Sequence, residues 1–341
     1  MRSNQGLMGL PLLLSGLLLS PLLLSQSAEA APDKMQAAEV GEGGRLSVQT
    51  RPVPQPQAGE VLIKVRAAGV NPVDWKGAMR RLGMVPGVDV SGTIDTLGEG
   101  VTGWRVGDPV LGFARRSGSY AEYAVIPVSG LARKPNSMTF EEAAGLPIAG
   151  ETAYRALHEV GKIARGQTVL IHGAAGGVGS AAVQIALAAG ARVIGTASPN
   201  NHEFLRSIGV DQVIDYRSQR FEDLVKNVDL VLNTADADTN ARSIGVVREG
   251  GVLVSIIGPA NSEACAAARI RCARPDRDNG APTAEMLARV VELADAGKFK
   301  VFVDETYSLA DASKAWEKNR TGHARGKLII QVSPGPTMKH Q

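Results

Sequence analysis

Three glycines at a regular spacing are the strongest chemical signal in the sequence. Gly173, Gly176 and Gly179 stand between an apolar strand-like run, TVLIHG, and a helical stretch, SAAVQIALAAG. Glycines allow a tight turn and a close approach of the backbone to a pyrophosphate, and the following helix offers free N–H groups and its positive dipole end. The pattern predicts dinucleotide binding rather than a merely structural Gly-rich turn. The residues predicted to contact the cofactor there are Gly173, Ala174, Ala175, Gly176, Gly177, Val178 and Gly179.

The end of the next strand decides which cofactor is bound. An acidic residue about 20 positions further on would bind the ribose 2′-hydroxyl of NAD. The chain instead reads SPNNH over 198–202, with no carboxylate before Glu203. An acid would repel a 2′-phosphate, whereas Ser198, Asn201 and His202 can donate hydrogen bonds to it. The stretch therefore favours NADPH, with NADH as the alternative; His202 has the alternative role of covering the helix that follows.

These residues need a sheet to position them. After Gly150, runs rich in Val, Ile and Leu alternate with stretches of helical period, which is typical of strands buried on both faces of a parallel sheet. We predict an α/β fold with an open, doubly wound sheet over 156–299. Short strand-like stretches separated by Gly and Pro predict a mainly antiparallel β domain over 31–155, which 300–333 rejoins with two strands and a helix.

Composition excludes several classes of protein. A length of 341 residues suits about two domains. The net charge of +3 gives no support for a nucleic-acid partner. Two cysteines and five histidines exclude a four-thiolate zinc lobe and a dense disulfide framework.

The first thirty residues differ from the rest. Arg2 precedes a Leu-rich run, and in Ala28-Glu29-Ala30 two small residues precede a cleavage site after Ala30. Residues 1–30 are predicted to be a signal peptide, which implies an exported or periplasmic protein with no stable membrane span after processing. The alternatives are an uncleaved anchor, or a cytoplasmic protein whose translation starts at Met35.

Beyond the glycine turn, motifs along most of the chain resemble the medium-chain dehydrogenase/reductase superfamily, in its zinc-free quinone oxidoreductase-like branch. The resemblance implies a Rossmann dinucleotide-binding domain, a GroES-like catalytic domain and a homodimer joined through the edges of the nucleotide domains. The segments that carry it are GVNPVDWK (69–76), PGVDVSGTI (86–94), VGDPVLGF (106–113), GSYAEYAV (118–125), LPIAGETAYRAL (146–157), GGVLVSIIG (250–258) and HARGKLII (323–330).

The resemblance also predicts the reaction. Zinc-using members carry a Cys and a His-Glu pair where this chain has Asn71, Val88 and Asp89. Valine cannot ligate a metal and a neutral amide is a poor replacement for a thiolate, so we expect no metal site. Hydride transfer then suits a quinone or an α,β-unsaturated carbonyl, because conjugation spreads the charge that arrives. The alternatives are a zinc-free alcohol dehydrogenase and a non-catalytic NADPH-binding protein.

By the same resemblance, individual residues receive roles. Asn71 is expected near the ribose and nicotinamide, and Thr152 beside the nicotinamide. Tyr216 would join Asn201 and His202 at the adenosine phosphate, although relatives often carry a Lys near 201–202 that this chain lacks. The alternatives without a role in cofactor binding are that Asn71 is a turn residue and that Tyr216 is a surface aromatic. The remaining expected cofactor contacts are Ile257, Arg325 and Lys327, the last two being either phosphate ligands or solvated edge charges.

A proton donor is harder to predict. Tyr120 is the candidate closest in sequence to the expected cleft, but a strand tyrosine is more often packed, and we expect water to serve instead. Cys265 and Cys272 lie in an Arg-rich stretch predicted to be a solvated loop. Seven residues apart on one helix they would be too far apart to bond, although export would expose them to an oxidising space.

Overall fold

The strands fall into three sheets. The computed structural model describes residues 31–114, 118–275 and 284–333; the predicted signal peptide and Arg277 of the Arg-rich stretch lie outside this part. The strands of the first half are β1 (Lys34–Val40), β2 (Leu46–Pro52), β3 (Glu60–Val70), β4 (Asp89–Leu97), β5 (Pro109–Phe113), β6 (Tyr123–Pro127) and β7 (Leu131–Arg133). Those that follow are β8 (Thr168–His172), β9 (Arg192–Ala197), β10 (Gln212–Asp215), β11 (Val228–Asn233), β12 (Val247–Ser255), β13 (Arg271–Ala273), β14 (Val303–Ser308) and β15 (Lys327–Gln331).

The helices lie mainly between the later strands. Short 3-10 turns and a π-helical turn at Arg155–Val160 connect some of them. The α-helices are α1 (Pro72–Ala78), α2 (Phe140–Ala144), α3 (Pro147–Tyr154), α4 (Gly177–Ala188), α5 (His202–Ser207), α6 (Phe221–Leu224), α7 (Ala237–Ser243), α8 (Ser262–Ala267), α9 (Ala284–Asp295) and α10 (Ala312–Arg320). Among the described residues, no helix is long and apolar enough to cross a membrane.

The six-stranded sheet has the predicted doubly wound arrangement. Its order is β10-β9-β8-β11-β12-β13, and every pair is parallel. The strand that enters the Gly-rich turn, β8, therefore lies where the order reverses, next to both β9 and β11. Ligands of such sheets bind at the carboxyl ends of the strands at this point. The sheet continues one strand beyond the prediction, because β13 falls in the stretch expected to be a loop.

A second sheet holds the residues of the other domain. Its order is β14-β15-β3-β4-β5-β7, with β6 also paired to β3, and all pairs except β14 with β15 are antiparallel. The hairpin of β1 and β2 lies apart from it. The return of residues 301–332 as two strands and a helix is confirmed by β14, α10 and β15. This sheet, with the parallel one, confirms the predicted fold class.

The two sheets meet at the start of β15. The Gly326 N–H donates to the Ala175 carbonyl at 2.8 Å, and Gly326 pairs with Gly176 as an isolated bridge. A Cβ on Gly326 would lie 2.1 Å from the Phe302 carbonyl oxygen, so only glycine allows this crossing. The last strand therefore brings its first residues directly onto the Gly-rich turn.

The two cysteines are bonded, which corrects the expectation of two separate thiols. Cys265 lies on α8 and Cys272 on β13, and their Cα atoms are 6.1 Å apart. The expectation assumed one continuous helix. The helix instead ends at Ala267, and a turn through Arg269 at φ 54° folds the chain back, so the two side chains meet.

Candidate active site

The Gly-rich turn has the geometry of a phosphate cradle. Gly173 has φ +66°, and a Cβ there would lie 2.5 Å from Thr234 Oγ1. A Cβ on Gly179 would lie 2.1 Å from the Gly173 carbonyl oxygen. Helix α4 then begins at Gly177 with no side-chain cap on its first N–H groups. The turn therefore fits the pyrophosphate of a dinucleotide, because backbone donors and the helix dipole converge where no side chain intrudes.

The polar loop after β9 is organised around its own side chains. Ser198 precedes a short 3-10 turn, and Asn201 Nδ2 donates to Ser198 Oγ at 3.2 Å. His202 Nε2 lies 3.3 Å from the Ala197 carbonyl oxygen, and the residue is the first of α5. All three predicted residues thus share one loop beside the Gly-rich turn.

A cation from the other domain reaches this loop. Arg325 Nε donates to Asn201 Oδ1 at 2.8 Å, and Arg325 Nη2 donates to the Asn200 carbonyl at 2.9 Å. Its guanidinium also lies 5.6 Å from the centre of the Phe204 ring. The side chain remains exposed to solvent. The loop after β9 has no lysine of the kind that relatives often carry there. The guanidinium of Arg325 supplies a positive charge to this loop instead.

Three further predicted contacts surround the same edge of the sheet. Tyr216 follows β10 and is 51% exposed, and Ile257 follows β12 and is 44% exposed. Both side chains are open to solvent at strand ends, and for Tyr216 the alternative of a surface aromatic has the same exposure. Thr152 is half-buried on α3, which packs against α4.

A buried polar cluster lies just beyond the turn. Asn71 Nδ2 donates to Asp89 Oδ2 at 2.9 Å, and the Ile148 N–H donates to Asp89 Oδ1 at 2.9 Å. The Lys327 ammonium donates to Asn71 Oδ1 and lies 3.3 Å from Asp89 Oδ2. Two of the three positions that correspond to zinc ligands in relatives, 71 and 89, are thus joined to each other directly and through a lysine.

Lys327 has a different place from the one predicted. It is 5% exposed, so the alternative of a solvated edge charge is wrong. Its ammonium points into the cluster with Asn71 and Asp89 rather than towards the phosphate loop. Only its stem approaches the turn, since a Cβ on Gly177 would lie 2.9 Å from Lys327 Cδ. The direct phosphate contact predicted for this lysine therefore has no counterpart in the geometry.

Tyr120 is packed rather than presented to a cleft. It has no exposed surface, its hydroxyl donates to Asp74 Oδ2 at 2.9 Å, and Trp316 Nε1 lies 3.4 Å from that hydroxyl. Burial raises the pKa of the Tyr120 hydroxyl well above its usual range. This agrees with the expectation of a satisfied, packed tyrosine and gives no support to its candidacy as a catalytic residue.

The structure adds Asp74, which the sequence reasoning did not single out. Asn71 is the N-cap residue of α1, and its N–H donates to Asp74 Oδ2 at 2.8 Å in a capping box. The spacing of Asn71 and Asp74 around Pro72 was the available signal. Burial raises the pKa of the Asp74 carboxyl to about 7, and burial likewise raises the pKa of Asp89.

A buried histidine supports the strand ends. His172, at the end of β8, lies 3.2 Å from Thr196 Oγ1 through Nδ1 and 3.1 Å from Ser243 Oγ through Nε2. Burial lowers its pKa to about 3, so the imidazole is neutral at physiological pH. It joins β8, β9 and α7 below the turn and is a structural residue.

Comparison with known proteins agrees with this geometry. Family profiles match the alcohol dehydrogenase GroES-like domain over residues 57–136 and the zinc-binding dehydrogenase family over residues 208–330. The 2-methylene-furan-3-one reductase of Solanum lycopersicum is 33% identical, over 92% of this chain and 86% of that protein.

Solved structures show the same likeness. The quinone oxidoreductase from Coxiella burnetii is 32% identical with a TM-score of 0.81, covering 88% of this chain and all of that one (100%). A mycobacterial protein solved in complex with NADPH is 31% identical with a TM-score of 0.79, covering 87% and 100% of the two chains. The chain therefore belongs to the medium-chain dehydrogenase/reductase superfamily, in its quinone oxidoreductase-like branch, and is an NAD(P)H-type oxidoreductase acting on a small molecule.

Proposed function

We propose that the protein reduces quinones or α,β-unsaturated carbonyls with NADPH and without zinc. One observation carries this proposal: the Lys327 ammonium lies between Asn71 Oδ1 and Asp89 Oδ2, one residue beyond the contact of Gly326 with the Gly-rich turn. Where zinc-using relatives hold a metal cation, this chain therefore has the ammonium group of Lys327.

The residues around a bound cofactor divide into two roles. The turn from Gly173 to Gly179 holds the pyrophosphate, and Asn71 and Thr152 orient the nicotinamide end. Once bound, the reduced nicotinamide supplies a hydride. Conjugated acceptors suit a site of this kind, because they disperse the incoming charge without a Lewis acid.

Zinc independence is supported by the kind of groups present. Val88 offers no ligand atom, and Asp89 and Asn71 already accept hydrogen bonds from an ammonium that a dication would repel. Within the described ranges, no three His, Cys, Asp or Glu side chains are grouped so as to hold a metal ion.

Preference for NADPH is supported by Arg325. Its guanidinium is held at the loop of Asn200 and Asn201, where the 2′-phosphate of a Rossmann-bound cofactor lies. We expect Arg325→Ala to raise the KM for NADPH at least about tenfold, the scale of one lost charge-assisted contact, and to change the KM for NADH little. Arg289→Ala, on the exposed face of α9, is the matched control. Equal losses with both cofactors would contradict the assignment of Arg325.

The activity itself is tested by following the absorbance of NADPH with 1,4-benzoquinone, 2-cyclohexen-1-one and ethanol plus NADP⁺. Steady oxidation with the quinone or the enone supports the proposal. Reduction of NADP⁺ by alcohol would favour the dehydrogenase alternative, and tight binding without turnover would favour the binding protein. Elemental analysis of the active protein checks for zinc, and stoichiometric zinc would overturn that part of the proposal.

We also propose that the protein is exported and forms a homodimer. Export is supported by the leader at 1–30 and by the bond between Cys265 and Cys272, since disulfides persist in oxidising compartments. A mature N-terminus at Ala31 in mass spectrometry would support it, whereas a start at Met35 would favour the cytoplasm. The short edge strand β13 is the sheet edge on which a second copy is expected, and light scattering after gel filtration measures the oligomeric state.

A further inference from the structure

A cavity of about 770 Å³ opens beside the buried cluster. Its walls come from the β1–β2 hairpin, α1 and the segment leading to β4. Most of the lining is apolar, including Val73, Met84, Val85 and Val88, as a conjugated carbonyl compound requires. Val73 and Val88 are chain neighbours of Asp74 and Asp89, so the cavity lies directly against the polar cluster. Asp74 itself is part of its wall.

The two oxygens of Asp74 have very different surroundings. Oδ2 accepts hydrogen bonds from the Asn71 N–H and the Tyr120 hydroxyl. Oδ1 is buried and has no hydrogen-bond partner within the described part of the chain. A buried polar atom without a partner costs roughly 1–3 kcal/mol, so it calls for an explanation. Asp74 lines the adjacent cavity, and although Oδ1 has less than 1 Å² of accessible surface, rotation of the side chain towards the cavity would let an oxygen atom of a ligand supply the missing partner.

Charge balance places a proton in this cluster. Asp74, Asp89 and the Lys327 ammonium lie close together at 5% exposure or less, so two ionised carboxylates would leave one uncompensated buried charge. Every oxygen of Asp89 already faces donors, from Ile148, Asn71 and Lys327. Asp74 Oδ1 is therefore the carboxyl oxygen of the two that has room for the proton.

We propose that Asp74 is the proton donor of the reaction, carrying its proton on Oδ1 and giving it to the carbonyl oxygen of the acceptor in the cavity. The proposal rests on the proposed function, whose cofactor supplies the hydride to the β-carbon. The Oδ1–H bond breaks and an O–H bond forms on the acceptor; the bond between the α- and β-carbons becomes single, the C=O bond becomes a C–O single bond, and a double bond forms between the α-carbon and the former carbonyl carbon, which gives an enol. The enol released returns to the ketone in water, and the Asp74 carboxylate regains a proton from water.

The pH dependence follows from this assignment. Only protonated Asp74 is active, so kcat/KM with NADPH and an enone should be constant below pH 7 and fall roughly tenfold per unit above it. Burial and the nearby Asp89 raise the pKa of Asp74 to about 7, while the Asn71 N–H, the Tyr120 hydroxyl and Lys327 oppose this rise. Within the described part of the chain, the charged and titratable groups facing Asp74 or its cavity are Asp89, Lys327 and Tyr120, with Arg51 and Arg81 on the cavity wall.

Asp74→Asn is the decisive variant. Its amide oxygen can still accept from the Asn71 N–H and the Tyr120 hydroxyl, but it has no acidic proton to give. We expect kcat with 2-cyclohexen-1-one to fall about a hundredfold and the high-pH fall in rate to disappear, while the Kd for NADPH stays within about twofold. Asp95→Asn, on the same strand as Asp89 but with a side chain that accepts from the Thr96 hydroxyl outside the cluster, is the control and should match the wild type.

A second measurement does not depend on turnover. Infrared spectra of the wild-type protein minus those of Asp74→Asn should show the carbonyl band of a protonated carboxylic acid at pH 6, and this band should vanish by pH 9. If the variant does not fold, the same band is sought in the wild type labelled with ¹³C-aspartate, together with its pH profile. Absence of the band at pH 6 would overturn the proposal.

The outcomes separate this proposal from the broader one. A wild type that reduces neither quinone nor enone contradicts the proposed function. A wild type that reduces them, with an Asp74→Asn variant of unchanged kcat and pH profile, contradicts only the role of Asp74.

Discussion

At the scale of single residues, Lys327 shows that a charged side chain near the end of the chain can be buried in a polar cluster rather than exposed. In the sequence it stands near the end of the chain beside Arg325, where both resemble surface cations. In the structure Arg325 stays exposed at the phosphate loop, whereas Lys327 is buried between Asn71 and Asp89. Two cations two residues apart therefore have different surroundings, one exposed at the loop proposed to bind a phosphate and the other buried in the polar cluster.

Lys327→Met should be strongly destabilising. Loss of the ammonium leaves the buried Asp89 carboxylate without its cation, which we expect to lower the free energy of unfolding by about 3 kcal/mol or more. Urea unfolding followed by tryptophan fluorescence measures this change. The control is Lys314→Met, whose exposed ammonium pairs with Asp311 and should cost less than about 1 kcal/mol. Similar values for the two variants would mean that Lys327 behaves as a surface charge.

At the scale of elements, the turn between β8 and α4 was readable from the sequence because its chemistry is local. The glycine spacing, the apolar strand and the helix stand next to one another, and each of them predicts the same motif. The geometry adds the reason for each glycine. Gly179 is needed because its Cα passes so near the Gly173 carbonyl that a methyl group would lie 2.1 Å from it.

Gly179→Ala should therefore weaken cofactor binding without unfolding the protein. Relief of the contact must move the start of α4, which takes its N–H groups away from the pyrophosphate, and we expect the Kd for NADPH to rise at least about tenfold. Calorimetric titration measures it. Gly245→Ala is the control, because a Cβ at that glycine meets nothing within 4 Å. An unchanged Kd in Gly179→Ala would show that the turn does not hold the pyrophosphate.

The rest of the site could not be predicted because its contacts are not local. Lys327 and Asn71 are separated by 256 positions, and Trp316 reaches Tyr120 across 196. The pattern of a strand gives the direction of side chains but not the partner strand, so it could not show that β15 pairs with β3. For the same reason the sequence did not predict β13, a strand of three residues whose Cys272 is bonded to Cys265 on α8.

At the scale of the whole molecule, the order of elements ties the two domains together. The chain leaves the antiparallel part after α3, builds the parallel sheet, and returns through β14 and β15 into the first sheet. Contacts at the return segment, Arg325 with the loop after β9 and Gly326 with the Gly-rich turn, join the two parts where the cofactor is proposed to lie.

NADPH should accordingly stabilise the protein as one unit. At a concentration 100 times its Kd, a ligand that binds only the folded state adds about 2.7 kcal/mol to the free energy of unfolding. We expect a single calorimetric transition whose Tm rises by several degrees with NADPH, and by less with NADH at the same concentration. Two transitions, of which only one shifts, would mean that the domains unfold independently.

The return segment also limits how the chain can change length. Arg325, Gly326 and Lys327 are consecutive, yet they reach the phosphate loop, the glycine turn and the buried cluster in that order. One added or deleted residue would displace all three by about 3.3 Å and leave each opposite the wrong neighbour. The spacing of this stretch is therefore fixed, so we expect an inserted residue to be tolerated in the exposed turn at 321–323 but not between Arg325 and Lys327.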